Sequence, residues 1–203
     1  MNSTPRYSED GFSIYSVVVG PLSNNVYVLH DQDSGESVLI DAADEHRLLL
    51  DICRELGVTR VLETHGHSDH IQAVAPLRDA GYPVYVGEED AAMLPGFDKV
   101  LEDGQAIPIG THRLIAIHTP GHTPGSFSFA VDGLPYLFSG DTLFPGGPGA
   151  TSFAGGSFPT IIESISNKLF TLDPETVVLP GHGSATTIGA EVPHLEEWVE
   201  RGW

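Results

Sequence analysis

The chain has 203 residues, of which 40% are hydrophobic and 18% charged, a balance that supports one globular domain with a substantial core. Nine basic against 28 acidic side chains give a formal net charge of −19, which repels a phosphodiester backbone and argues against a nucleic-acid partner. The single cysteine, Cys53, excludes an intrachain disulfide, and Met1–Asp10 lacks the pattern of an export signal. No apolar run approaches the ~20 residues that span a bilayer, so we expect a cytoplasmic protein with no membrane contact.

Short strand-like runs dominate the first third of the chain, separated by turn residues. They are Phe12–Val19, Asn25–Leu29 and Ser37–Ile40. Glu45–Leu56 predicts a helix, because four apolar residues share one face and Gly57 ends it. The rest of the first half is predicted as a strand at Val58–Glu63, a polar run at Thr64–His70, a helix at Ile71–Ala80, an extended segment at Pro83–Val86 and a short helix at Glu88–Leu94.

The second half repeats this order of strands and then helices. Its predicted strands are Gln105–Ile109, His112–His118, Ser126–Val131 and Tyr136–Phe138. A glycine-rich loop at Pro145–Ser157 is followed by a helix at Phe158–Phe170, a strand at Val177–Leu179 and a closing helix at Glu191–Arg201. This repeated order predicts an α/β fold in which two sheets pack face to face with helices outside, a four-layer α/β/β/α sandwich. Residues 1–203 are predicted to form a single domain.

The most informative segment is the polar run that follows the strand predicted to end at Glu63. His65-Gly66-His67-Ser68-Asp69-His70 places four potential metal ligands within six residues. They lie in a loop whose backbone can wrap around one point, and imidazole and carboxylate ligands suit zinc, iron or manganese. The segment therefore predicts a metal site rather than a histidine-rich surface loop.

Three later segments each place one histidine or aspartate beside glycine, just beyond a predicted strand. They are Gly121-His122-Thr123-Pro124-Gly125-Ser126, Ser139-Gly140-Asp141-Thr142 and Pro180-Gly181-His182-Gly183. Glycine permits unusual backbone angles and a close approach of the main chain to a metal. One such segment alone is usually a turn, but the three together indicate further ligands for the same site.

Taken with the first motif, these segments resemble the metallo-β-lactamase-fold superfamily, and most of all its glyoxalase II branch. The resemblance extends from the early strands to Pro180–Gly183. It implies that one metal is held by His65, His67 and His122. It implies a second metal held by Asp69, His70 and His182, with Asp141 bridging the two. Asp41 resembles an aspartate at the end of an early strand that supports the family's ligands without binding metal.

The resemblance implies a metal-dependent hydrolase that uses a metal-activated water on a small thioester or ester. The expected cofactor is zinc, up to two ions, with iron or manganese as alternatives. Asp69 is expected to be both a ligand and the catalytic residue that orients the nucleophile. No serine or cysteine nucleophile is required, and Cys53 is predicted to be a packing residue. The expected partner is a small-molecule substrate, and its binding residues and the oligomeric state are left open.

The sequence departs from glyoxalase II where that enzyme recognises glutathione. Glyoxalase II carries a further helical domain that grips glutathione with basic and tyrosine side chains, and this chain ends at Trp203. After Asp141 no lysine or arginine occurs before Lys168. Instead the loop Pro145–Ser157 has no charged side chain, and we interpret it either as one wall of the substrate cleft or as a plain connection. In the first case Phe144 or Phe153 contacts the substrate.

Other members of the superfamily provide the alternative functions. The persulfide dioxygenases share the fold and use one iron, so an oxidoreductase of that type is the main alternative. Nuclease members carry basic surfaces and RNA-binding modules, which the acidic composition does not match. Non-catalytic relatives usually lose ligands, whereas this sequence retains all seven.

Overall fold

The computed structural model of the protein describes residues 4–202, and Met1–Ser3 and Trp203 lie outside that range. The prediction that Met1–Asp10 is not an export signal and the prediction of one domain over residues 1–203 both extend beyond the described residues and stay predictions. Between residues 4 and 202, no helix is long and apolar enough to cross a membrane.

Seven strands form the first sheet in the order in which they occur along the chain. They are β1 (Tyr7–Glu9), β2 (Phe12–Val19), β3 (Asn24–Asp31), β4 (Ser37–Ile40), β5 (Val58–Leu62), β6 (Val84–Val86) and β7 (Lys99–Val100). Strands β1 to β4 are antiparallel, and β4 to β7 are parallel. Parallel neighbours need crossover connections. Helix α1 (His46–Glu55) joins β4 to β5, and α2 (Val74–Asp79) joins β5 to β6.

Six strands form the second sheet. They are β8 (Ala106–Ile109), β9 (His112–His118), β10 (Phe127–Val131), β11 (Tyr136–Gly140), β14 (Val177–Pro180) and β15 (Thr186–Thr187), in the spatial order β15-β14-β11-β10-β9-β8. Strands β12 (Leu143–Phe144) and β13 (Gly147–Pro148) form a separate hairpin. Helix α3 (Phe158–Asn167) connects the parallel neighbours β11 and β14, and α4 (Ile188–Glu191) and α5 (Leu195–Arg201) follow β15.

The apolar side chains fall into three layers of packing. The central layer lies between the sheets, where Tyr27 of β3 meets Phe138 of β11 with ring centroids 5.1 Å apart. A second cluster packs the outer face of the first sheet against α1 and α2 and includes Cys53, which is buried. A third packs the outer face of the second sheet against α3 and α5, with Trp198 buried in it. The predicted α/β/β/α sandwich is confirmed.

The helix predicted at Ile71–Ala80 begins only at Val74. The backbone N–H groups of Gln72 and Ala73 donate to the carbonyls of Ala43 and Ala42, at 3.0 and 2.8 Å. These amides bind the segment after β4 and not the preceding helical turn. The exit of the loop that carries His65–His70 is therefore fixed against the neighbouring strand end.

Other predicted boundaries were also wrong in detail. Glu88–Leu94 is a 3-10 helix at Glu88–Met93, and the helix predicted at Phe158–Phe170 ends at Asn167 before a 3-10 turn at Leu169–Thr171. The closing helix predicted at Glu191–Arg201 begins as α5 at Leu195. Pro193 explains this last case, because proline donates no backbone N–H and the turn Val192–His194 interrupts the helix.

Asp31, at the end of β3, joins the two halves of the fold on the β8–β9 side. Its carboxylate is fully buried and accepts hydrogen bonds from the Ser34 and Thr111 amides, the Thr111 hydroxyl and His112 Nδ1, all between 2.7 and 2.9 Å. Burial by itself raises the pKa of this carboxyl, but the hydrogen bonds outweigh it and hold the pKa well below its usual range. The ionised form is therefore the one that stabilises the fold.

Asp31→Asn is expected to lower the free energy of unfolding by about 2–4 kcal/mol, because one acceptor oxygen becomes an NH₂ group that faces buried donors. For a chain of this length the melting temperature should fall by about 5–10 °C, measured by circular dichroism. The exposed neighbour Asp33, changed to asparagine, is the control and should melt like the wild type.

The stabilisation of the fold by Asp31 should also depend on pH. A lowered pKa means that the stabilisation by Asp31 is present above its unfolded pKa of about 4 and is lost as the pH falls through the folded pKa. The difference in stability between Asp31→Asn and the wild type should therefore be constant near neutral pH and shrink below about pH 4. A difference independent of pH over that range would contradict the assignment.

Candidate metal centre

All seven predicted ligands lie at strand ends on one edge of the sandwich, and the structure brings them together. His65, His67, Asp69 and His70 follow β5 in one loop, which we call the ligand loop. His122 lies between β9 and β10, Asp141 directly follows β11, and His182 follows β14. The first sheet thus supplies one loop and the second sheet supplies three.

The candidate ligand atoms form three overlapping groups, one of which joins Asp141 to His65 and His70. His65, His67 and His122 make the first ligand group, and Asp69, His70 and His182 make the second ligand group. Within each group the candidate atoms lie within 4.8 Å of one another. Asp141 Oδ2 lies 3.7 Å from His122 Nε2 and 3.6 Å from His182 Nε2, so this carboxylate lies between the groups. Its position matches the bridging role that the resemblance implies, and metal binding by these residues stays a prediction.

Asp41 supports the ligand loop from behind. The residue has a left-handed backbone conformation at φ 63° and is buried directly after β4. Its carboxylate accepts hydrogen bonds from the Thr64 amide at 2.7 Å, from the Thr64 hydroxyl at 2.9 Å and from His70 Nδ1 at 2.8 Å. Because the Thr64 hydroxyl donates to Asp41, its oxygen accepts from His65 Nδ1 at 3.0 Å. Both histidines therefore present Nε2 to the centre.

The histidines of the second sheet are oriented in the same way, by backbone carbonyls. His122 Nδ1 donates to the carbonyl of Ala150 at 2.7 Å, and His182 Nδ1 donates to that of Leu22 at 3.1 Å. Their Nε2 atoms consequently carry lone pairs that point into the site. His67 differs, because its Nδ1 faces His122 Nε2 at 2.8 Å.

Several buried atoms of the centre lack a partner that the protein could supply. His65 Nε2 and Asp141 Oδ1 are buried and have no hydrogen-bond partner among the described residues. His70 Nε2 and His182 Nε2 also converge there, 3.2 Å apart. Buried polar atoms are rarely left unsatisfied. Divalent metal ions would satisfy all of these atoms at once, so the donor set fits the metal centre that the family implies.

Glycine is required where the chain passes closest to the ligands. A Cβ added to Gly181 would come 2.7 Å from His70 Cε1 and would also overlap Asp141 Oδ1. Gly140 has a φ of 49°, and a Cβ there would lie 2.6 Å from Thr64 Cβ. Both positions let a strand end of the second sheet approach the ligand loop of the first sheet.

The first ligand group is set up for coordination by its environment. Burial lowers the pKa of His65 well below its usual value and also lowers the pKa values of His67 and His122. Metal ligands must be deprotonated, and neutral imidazoles meet that requirement. In the second ligand group, the Asp69 carboxylate, 3.2 Å from His182 Nε2, raises the pKa of His182. Burial raises the pKa of Asp69, but its hydrogen bonds outweigh this and the pKa is lowered.

Two functional candidates were missed from the sequence. Asn24, the first residue of β3, is buried and donates from Nδ2 to Asp69 Oδ2 at 2.8 Å. Asp90, in the 3-10 helix, accepts from the amide of Gly66 inside the ligand loop at 2.9 Å. The only sequence signal for Asn24 is the pair Asn24-Asn25 at the start of an apolar strand, and Asp90 has none.

A cleft of about 400 Å³ opens over the centre. Besides ligands, its walls are Leu22, Ser68 and Phe153. Leu22 and Phe153 are 62% and 57% exposed, and the Phe153 ring lies 5.3 Å from that of His67. The loop Pro145–Ser157 thus forms part of the rim through Phe153. Phe144 lies in the β12–β13 hairpin and is not among the residues that line the cleft.

Comparison with known proteins places this site in a family. A model of the metallo-beta-lactamase superfamily matches residues 19–182, which include all seven predicted ligands. A probable metallo-hydrolase of Bacillus subtilis, YqgX, is 34% identical over 194 residues, 85% of this chain and 91% of that protein. The hydroxyacylglutathione hydrolase GloC of Haemophilus influenzae is 30% identical over 200 residues, 88% of this chain and 94% of that protein.

Three solved structures are similar to this chain both in fold and in sequence. BLEG-1, a B3 metallo-beta-lactamase, is 34% identical with a TM-score of 0.80 and covers 89% of this chain and 97% of its own. TTHA1623 in a di-iron-bound form is 34% identical with a TM-score of 0.77, covering 87% and 96%. ETHE1 from Myxococcus xanthus is 29% identical with a TM-score of 0.79, covering 90% of this chain and 82% of its own.

His67→Ala is expected to reduce the metal retained after dialysis, because it removes one atom of the first ligand group. Metal analysis by plasma mass spectrometry measures the loss. In the wild type, chelation should lower the melting temperature, since a ligand that binds only the folded state at 100 times its Kd adds about 2.7 kcal/mol. The exposed His46→Ala is the matched control and should keep wild-type metal content. Equal metal content in the two variants would contradict the assignment.

Proposed function

The chain belongs to the metallo-β-lactamase superfamily, and we propose that it is a metal-dependent hydrolase that acts on a small thioester or ester. One observation carries the proposal: the two ligand groups and Asp141 converge below a small cleft, with buried ligand atoms that lack protein partners. The proposed cofactor is zinc, up to two ions, and the proposed ligands are the seven residues of the centre.

The residues of the chain prepare the site for attack on a carbonyl. Divalent metal ions at this centre would lower the pKa of a bound water and polarise the substrate carbonyl. Asn24 holds Asp69 through Oδ2, which fixes the carboxylate that we propose as ligand and as orienter of the nucleophilic water. Asp41 and the backbone carbonyls hold the histidine rings, so little reorganisation is needed when the substrate binds.

The proposed substrate class is supported by a relative and by the cleft. GloC is named a hydroxyacylglutathione hydrolase. The match covers 94% of its length, so the part of GloC outside the match is too short to form a further domain. A further glutathione-binding domain is therefore no requirement for thioester substrates. Leu22 and Phe153 offer apolar contacts to an acyl group. None of the described residues lining the cleft is lysine or arginine, so carboxylates of the thiol part would find no cationic partner there.

The second candidate is a persulfide dioxygenase-like oxidoreductase, which the similarity to ETHE1 favours. A dioxygenase that uses one iron needs only one set of ligands. Here the second ligand group is complete, and Asn24 orients its aspartate. This second set of placed ligands supports the hydrolase as the first candidate.

Purified enzyme loaded with zinc, and separately with iron, should hydrolyse thioesters in a substrate panel. The panel should contain the same acyl group on glutathione and on an uncharged thiol, together with lactones, β-lactams and phosphodiesters. Because the cleft lining has apolar walls and no basic side chain, kcat/KM should be higher for the uncharged thioester. Thiol release measures turnover, and an oxygen electrode with glutathione persulfide tests the second candidate. Hydrolysis of phosphodiesters or β-lactams alone would overturn the proposed substrate class.

Phe153→Ala should raise KM for the preferred thioester by roughly 10-fold, since burying one aromatic contact against substrate contributes on the order of 1–2 kcal/mol. Metal content should be unchanged, because Phe153 supplies no ligand. Phe144→Ala is the matched control from the same segment and should keep wild-type KM. Wild-type kinetics in both variants would leave the loop as a plain connection.

A further inference from the structure

Asp90 connects the loops that carry the first ligand group, although it is neither a proposed ligand nor a wall of the cleft. The side chain is fully buried and lies in the 3-10 helix Glu88–Met93, between β6 and β7. We propose that Asp90 is a positioning residue that holds the ligand loop against the His122 loop (residues 119–126), so that His65, His67 and His122 converge on one metal ion. This inference rests on the proposed metal centre.

The hydrogen bonds of Asp90 reach both loops. Its Oδ2 accepts from the amide of Gly66 at 2.9 Å, and Gly66 stands between two proposed ligands. The same oxygen accepts from the hydroxyl of Thr123, the residue after His122, at 2.6 Å. Its Oδ1 accepts from the amide of Gly125 at 2.9 Å. One carboxylate therefore fixes a loop of the first sheet relative to a loop of the second sheet.

Close packing adds to this connection. A Cβ placed on Gly125 would come 2.6 Å from the Asp90 amide and 2.7 Å from Asp90 Cγ. On the other side, a Cβ on Gly66 would lie 2.8 Å from Met93 Cβ and 3.1 Å from the Asp90 carbonyl oxygen. The 3-10 helix is wedged between the two loops, and only glycine fits at either contact.

Both oxygens of the Asp90 side chain must act as acceptors, because all three partners are donors. Asn at this position would offer one acceptor oxygen and turn an NH₂ group toward a buried donor. The loss of zinc affinity caused by Asp90→Asn should be confined to the first ligand group. The second ligand group is held by other residues: Asn24 binds Asp69, Asp41 binds His70, and the Leu22 carbonyl binds His182.

Zinc titration of the metal-free protein tests the proposal without relying on activity. Two reference variants assign the binding phases: His67→Ala removes the phase of the first ligand group, and His182→Ala removes that of the second. Asp90→Asn should weaken the first phase by about 10- to 100-fold, the range found when groups that orient metal ligands are changed, and leave the second unchanged.

Asp31→Asn is a matched control, because Asp31 is an equally buried carboxylate that also joins the two halves through donors only. Both variants should lower the melting temperature of the metal-free protein, and only Asp90→Asn should change zinc affinity. If Asp90→Asn does not fold, Thr123→Val and Thr111→Val provide a milder pair. Each removes one hydroxyl donor, to Asp90 or to Asp31 respectively.

The outcomes are distinct. A weakened first zinc phase in Asp90→Asn or Thr123→Val, with wild-type affinity in the Asp31 or Thr111 variant, is the expected result. Wild-type zinc affinity in the variant at Asp90 or Thr123, or equal weakening in its control, overturns the role of Asp90. A wild-type protein that binds no zinc, iron or manganese overturns the metal centre itself, and the role of Asp90 with it.

Discussion

The geometry of the site depends on the hydrogen bonds that the Asp41 carboxylate accepts. Asp41 is buried in a left-handed conformation after β4 and accepts from Thr64 and from His70, and through the Thr64 hydroxyl it also determines which nitrogen of His65 is protonated. Two imidazoles are thereby held with Nε2 toward the centre before any metal is bound. The delayed start of α2 comes from the two residues after Asp41, because the carbonyls of Ala42 and Ala43 accept from the amides at the exit of the ligand loop.

Each of the two sheets supplies part of the candidate metal centre. The first sheet supplies a single loop with four proposed ligands close in sequence, and the second sheet supplies three isolated ones at separate strand ends. Such a site is complete only when the sheets are packed in one register. Asp31 and Asp90 both join the two halves, but only Asp90 binds the loops that carry proposed ligands. Asp31 therefore contributes to the stability of the sandwich, and Asp90 to the convergence of the proposed ligands.

The substrate cleft combines two opposite environments. Its floor holds proposed ligands, among them Asp141, whose buried Oδ1 has no hydrogen-bond partner among the described residues. Its rim carries the exposed apolar side chains of Leu22 and Phe153. A polar reacting centre beneath apolar walls suits a substrate with a carbonyl at one position and a small hydrocarbon group beside it. The acidic surface of the chain, at a net charge of −19, adds a field that disfavours anionic substrates at long range.

The sequence by itself determined the α/β/β/α sandwich, the family and the set of seven candidate ligands. These follow from local signals: apolar periodicity marks the strands, and ligand types beside glycine mark their ends. Only the tertiary structure shows the contacts of Asn24 and Asp90 with the ligand loop. It also shows that Phe153 and not Phe144 lines the cleft, and that α2 begins at Val74. The reason is the distance along the chain. Asn24 meets Asp69 across 45 residues and Asp90 meets Thr123 across 33, so no local pattern records either contact, and only packing of the two sheets brings these groups together.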